Sequence, residues 1–109
     1  MAYDERLATT LQDDLQFRPD VSERKMFGGL CFMLSGNMLC GVHSGGAMFR
    51  VGKEREAEAL ALPGVSPLAF TGRKMGGLVD VNDAAFYDAN LRKQLLSLAL
   101  SFVAALPPK

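Results

Sequence analysis

The stretch MFGGLCFMLSGNMLCGVHSGGAMFRV, residues 26–51, decides the fold. After Met26-Phe27-Gly28-Gly29, two apolar runs, Leu30–Leu34 and Met38–Val42, flank Ser35-Gly36-Asn37. Glycine and asparagine tolerate the positive φ that a tight hairpin turn demands. A three-residue loop pairs Leu34 with Met38, Phe32 with Cys40 and Leu30 with Val42, so six apolar residues share one face. A two-residue loop on Gly36-Asn37 sets the same three β residues against Leu39, Gly41 and His43 instead. A one-residue slip exchanges faces, and the hydrophobic pattern favours the three-residue loop.

His43-Ser44-Gly45-Gly46 is the next turn, and Ala47–Val51 then alternates between two faces. The stretch is thus a three-stranded meander. Its second face carries Cys31, Met33, Leu39 and Met48 and is not polar either. A soluble antiparallel sheet usually leaves one face wet. The expectation is that both faces are covered, by helices or by a second copy of the chain, with those four residues as the dimer face.

Outward from the meander, residues 3–16 form an amphipathic helix on Leu7, Leu11 and Leu15, ended by Arg18-Pro19-Asp20. Val21–Met26 is polar and extended, and Gly28-Gly29 marks a bulge or bend. Lys53–Leu60 is a short helix stopped by Pro63-Gly64. Val65–Phe70 is a strand that Pro67 assigns to a sheet edge. Thr71–Gly77 is a loop centred on Arg73 and Lys74, Leu78–Val81 a short strand, and Asn82–Tyr87 a turn of helix. Asp88 caps a last helix running to about Leu106, whose wide apolar stripe predicts deep burial. The order is α-β(3)-α-β(2)-α: an α+β fold with one mainly antiparallel, five-stranded sheet, in a single domain over residues 1–109.

Hydrophobic residues make up 49% of the 109, enough for a proper core, and the net charge is zero. Residues 1–20 hold five acids and two bases, and residues 21–52 three bases and one acid. That is far from the basic stripe of a dedicated nucleic-acid binder. No apolar run approaches the roughly 20 residues of a membrane helix. With two cysteines and no apparent signal peptide, a cytoplasmic, reduced protein is the expectation.

Few residues offer chemistry. Cys31, Cys40 and His43 are the metal candidates, but the favoured register points the two thiols to opposite faces, and two packed thiols are the plainer reading. His43, the only histidine, falls at a turn, and its neighbour Ser44 does not make a triad. No catalytic residue, metal or cofactor is therefore expected. Gly72-Arg73-Lys74-Met75-Gly76-Gly77 offers two bases and backbone amides to an anion. Arg24, Lys25, Arg50, Arg73 and Lys74 make a basic patch if the first strand and the 71–77 loop are neighbours, with Phe27 placed to stack on a base. The methionines in and near the sheet serve as core filler or as an adaptable partner face.

One ordered set of short motifs spans nearly the whole chain: Met26-Phe27-Gly28-Gly29, Gly36-Asn37-Met38, Arg50-Val51-Gly52, Pro63, Thr71-Gly72-Arg73 with Met75-Gly76-Gly77, and a helix ending Leu106-Pro107. Together they resemble the TfoX N-terminal domain family. The resemblance implies an α-β(3)-α-β(2)-α unit like that of secretion chaperones. It also implies kinship with regulators of DNA-uptake competence, which act in transcription with a partner regulator. It supplies no established catalytic residues. The expected function is a non-catalytic regulatory, protein-interaction domain, a homodimer with a protein partner. The alternative is a nucleic-acid-associated transcriptional regulator of the competence type, using the basic patch.

Overall fold

A computed structural model describes residues 4–16, 18–26, 29–43, 46–70 and 73–108. The elements are α1 (Glu5–Asp14), β1 (Val21–Met26), β2 (Gly29–Leu34), β3 (Asn37–His43), β4 (Gly46–Arg50), α2 (Glu56–Leu60), β5 (Val65–Phe70), β6 (Arg73–Val81), α3 (Asp83–Phe86) and α4 (Ala89–Ala104). Six strands form one antiparallel sheet in the order β1-β2-β3-β4-β6-β5. The fold is α+β as expected, with one strand more than the five predicted.

The extra strand is β1. Its exposed Ser22, Glu23, Arg24 and Lys25 give no apolar alternation. It is held by its ladder to β2, from Val21 opposite Leu34 to Met26 opposite Gly29. The expected loop at 73–77 is also strand: β6 begins at Arg73, and the β5–β6 register shifts between Pro67 and Ala69. Thr71-Gly72 and Gly28 lie outside the described residues.

The central hairpin corrects the predicted register at its turn. Leu30 faces Val42 and Phe32 faces Cys40, as expected, but Met33 faces Met38 and Leu34 faces Asn37. Ser35 and Gly36, at φ 51° and 85°, make a two-residue turn. Both central residues at positive φ match the right-handed twist of the strands. The extra residue is absorbed by a bulge at Leu39, so Leu39 and Cys40 both enter the main core.

That core lies between one sheet face and the helices. Leu7 and Leu11 of α1, Phe86 of α3, and Leu91, Leu95, Ala99 and Val103 of α4 pack on Leu30, Phe32, Val42, Phe49, Val79 and Val81. Each large side chain so buried contributes roughly 1.5–3 kcal/mol. Asp4, Asn82 and Asp88 cap α1, α3 and α4 by accepting from backbone N–H groups. Arg92 anchors α4: its Nε donates to Asp14 Oδ2 at 2.6 Å, Nη1 to the Phe86 carbonyl at 2.8 Å, and its guanidinium lies over the Phe86 ring. The second sheet face carries a smaller apolar cluster of Cys31, Met33, Met48, Leu68 and Leu78.

Candidate functional site

β4 leaves the sheet at Arg50, and the chain bends at once through Val51-Gly52. The N–H groups of Val51 and Gly52 both donate to the Gly77 carbonyl, at 2.9 and 3.1 Å. Gly77 N–H in turn donates to Glu56 Oε1 at 2.9 Å. Gly52 sits at φ 86° and Gly77 at 83°, so the corner needs glycine twice. A Cβ on Gly52 would stand 2.5 Å from the Phe102 ring, which lies directly on this backbone.

The corner and the C-terminal half of α4 enclose a groove of about 790 Å³. Leu98, Phe102 and Leu106, at helical spacing, form its partly exposed apolar wall. Arg50, Lys53, Glu54 and Arg55 line the other side. Ser97 and Leu98 also border a second depression of about 580 Å³ that reaches Leu62, Asn90 and Lys93. The two depressions adjoin at Ser97 and Leu98 and together run beside α4 from Asn90 to its end and on to Leu106, about 24 Å at 1.5 Å per residue.

Arg50 is the distinctive group in it. Its guanidinium carbon lies 5.5 Å from the centroid of the Phe102 ring, a cation–π stack. It is half-buried and has no hydrogen bond or ion pair among the described residues. Its planar N–H fork is positioned by the Phe102 ring, and such a fork suits a carboxylate or phosphate. Lys53 lies along Gly76, where a Cβ would come within 3.0 Å of its Cε. Arg55 pairs with Glu58 at 3.2 Å, but both are exposed, so that bridge is weak and easily exchanged.

A second polar site lies on the other sheet face. His43 Nε2 and Asp80 Oδ1 are 2.6 Å apart, with His43 only 12% exposed. Met48 faces Asp80 on the neighbouring strand. The expected surface-turn histidine is thus half-buried and oriented by a carboxylate. The sequence reading missed Asp80, although a charge alternating with Val79 and Val81 on a strand was its signal. Burial pushes the Cys31 and Cys40 thiols up, so both stay protonated near neutrality. They sit on opposite sheet faces, as the register predicted, and both are free. Among the described residues no three His, Cys, Asp or Glu side chains are grouped to hold a metal ion.

The family model of the TfoX N-terminal domain matches residues 13–103, from the end of α1 to the last turn of α4. The chain belongs to the TfoX N-terminal domain family. No curated protein and no solved structure matches it. In this TfoX N-terminal domain the strands that carry the predicted basic residues are not all neighbours. Arg24 and Lys25 are exposed on edge strand β1, whereas Arg73 and Lys74 open β6, with β2, β3 and β4 between them in the sheet. Arg50 joins Lys53 and Arg55 in the groove instead, and Phe27 lies outside the described residues. Cys31, Met33 and Met48 of the expected dimer face are buried within the single chain, packed with Leu68 and Leu78. Leu39 is not on that face at all, because the bulge turns it into the main core. No helix among the described residues is long and apolar enough to cross a membrane.

Proposed function

We propose that this TfoX N-terminal domain is a non-catalytic regulatory module that binds an acidic, amphipathic segment of a partner protein along α4. The observation that carries the reading is Arg50, half-buried on Phe102 and with no carboxylate partner among the described residues, facing the apolar wall of the groove. The groove is far longer than a small metabolite needs and matches a helix of about four turns. Leu98, Phe102 and Leu106 offer hydrophobic contact, and Arg50 and Lys53 select acidic side chains beside it. Family membership supports the regulatory half of the reading.

The test is fluorescence anisotropy with a labelled helical peptide bearing leucines at i, i+4 and i+8 and flanking glutamates. The same peptide with lysines for glutamates, and a labelled DNA duplex, serve as comparisons. The acidic peptide should bind at least about tenfold more tightly than the basic one, a difference of roughly 1.4 kcal/mol. Arg50→Ser with Lys53→Ser should abolish that preference. Equal affinity for the two peptides overturns the reading. Salt-sensitive binding of the duplex that is lost in the same double variant would put the nucleic-acid regulator in its place.

A further inference from the structure

We propose that two copies of the chain pair through β1, edge to edge, making one continuous antiparallel sheet with Glu23 of each copy opposite the partner's Lys25. The two edges of the sheet differ in what they offer. At the β5 edge, Asn82 N–H donates to the Gly64 carbonyl at 3.2 Å, which sets the phase of that ladder. Even-numbered β5 residues at its start then face β6, and Val65 and Pro67 face outward. Val65 N–H is already taken by the Leu62 carbonyl, at 3.3 Å, and Pro67 has no N–H. That edge has no donors at these positions for an added strand.

The β1 edge is open. Ser35 N–H donates to the Asp20 carbonyl at 3.1 Å, so even-numbered residues turn their backbone groups to β2. Odd-numbered residues turn theirs outward. Val21 N–H is used by the Arg18 carbonyl, at 3.1 Å. Glu23 and Lys25 keep both N–H and C=O at the outer edge, on a strand whose residues 22–25 are all exposed.

A twofold axis perpendicular to the sheet keeps the helical faces of both copies on one side. Residues opposite one another across the junction must then lie on the same face. Glu23 and Lys25, opposite Phe32 and Leu30, share the helical face. Setting Glu23 against the partner's Lys25 exchanges both backbone hydrogen bonds at each such pair and uses every outward group of these residues. It also places opposite charges side by side twice. One neighbouring register sets Glu23 against the partner's Glu23 and leaves the Lys25 carbonyl unpaired, since Val21 N–H is taken, and the other sets Lys25 against the partner's Lys25. The favoured register brings Arg24 against the partner's Arg24 on the other face, an exposed repulsion. Charged residues on an edge ordinarily discourage pairing; here their order permits one partner and one register. A six-residue strand buries less than the roughly 1,200 Å² of standard interfaces, so the dimer is weak, in the micromolar range or above.

Sedimentation equilibrium over a wide concentration range tests this, with circular dichroism to confirm that the exposed-site variants fold. The wild-type chain should dimerise. Glu23→Lys and Lys25→Glu should each weaken the dimer about tenfold or more, and the double swap should restore it to within about threefold. Arg24→Thr should tighten it. Hydrogen exchange should show protection of the Glu23 and Lys25 amides that grows with concentration. A chain that stays monomeric to about 1 mM overturns the proposal. So does a dimer indifferent to the single charge reversals, or one that the double swap fails to restore.

Discussion

Cys40 is fully buried in the main core, and burial holds its thiol well above the ordinary value of 9.0. The sign of the consequence follows from proton counting. Below pH 9 folded and unfolded chains both keep the proton, and the native state has its full stability. Above it the unfolded chain releases a proton that the folded chain retains, so stability falls as pH rises. Unfolding free energy from urea titrations should therefore decline from about pH 9 upward, and less steeply in Cys40→Ala. Cys31 is shifted in the same direction by burial. Both thiols should resist iodoacetamide at pH 7 in the native protein and react promptly in urea; rapid native alkylation of either would contradict their burial. The opposite placement of these thiols was legible in the sequence, because apolar pairing of Leu30 and Phe32 with Val42 and Cys40 fixed it. The neighbouring Leu39 was not legible. A bulge adds one residue to one strand, and the hydrophobic residues on either side of Leu39 suit both registers.

At the scale of elements, α4 shows what a sequence carries well. Asp88 Oδ1 accepts from the N–H groups of Asn90 and Leu91 at 3.0 and 3.2 Å, closing the first turn of the helix. An aspartate directly before an apolar helical period is a local signal, and the cap was predictable from it. Asp88→Ala should cost about 1 kcal/mol in urea unfolding, and Asp88→Asn much less, because asparagine keeps the accepting oxygen. An Asn variant as damaged as the Ala variant would assign the loss to charge rather than to the cap. β1 is the opposite case. Its four exposed polar residues have no pattern of their own, and the strand exists because β2 offers it a ladder. The groove was hidden for a related reason. Gly52 and Gly77 meet through backbone hydrogen bonds between distant parts of the chain, and only that contact sets Arg50 beside Phe102 and brings Lys53 to the same groove.

Across the whole molecule, one sheet supports two apolar clusters, and neighbouring residues on its strands serve different ones. Phe32, Phe49 and Val79 belong to the helical side, and Cys31, Met48 and Leu78 to the other. Removing β2, β4 or β6 from either cluster removes it from both, so the two cannot melt in sequence while the ladders last. Met48→Ala in the smaller cluster and Leu95→Ala in the larger should each cost about 2–5 kcal/mol, since both side chains are fully buried. Each should shift one cooperative transition as a unit, with far-ultraviolet and near-ultraviolet circular dichroism coinciding. Slopes against urea should match the wild type, because the surface exposed on unfolding is nearly unchanged. Early reaction of the Cys31 thiol with iodoacetamide confined to Met48→Ala, while Cys40 stays protected, would mean instead that the second face loosens while the helical side holds. The clusters would then be independent bodies on a common sheet, and the alternation of side chains along β2, β4 and β6 would not couple them.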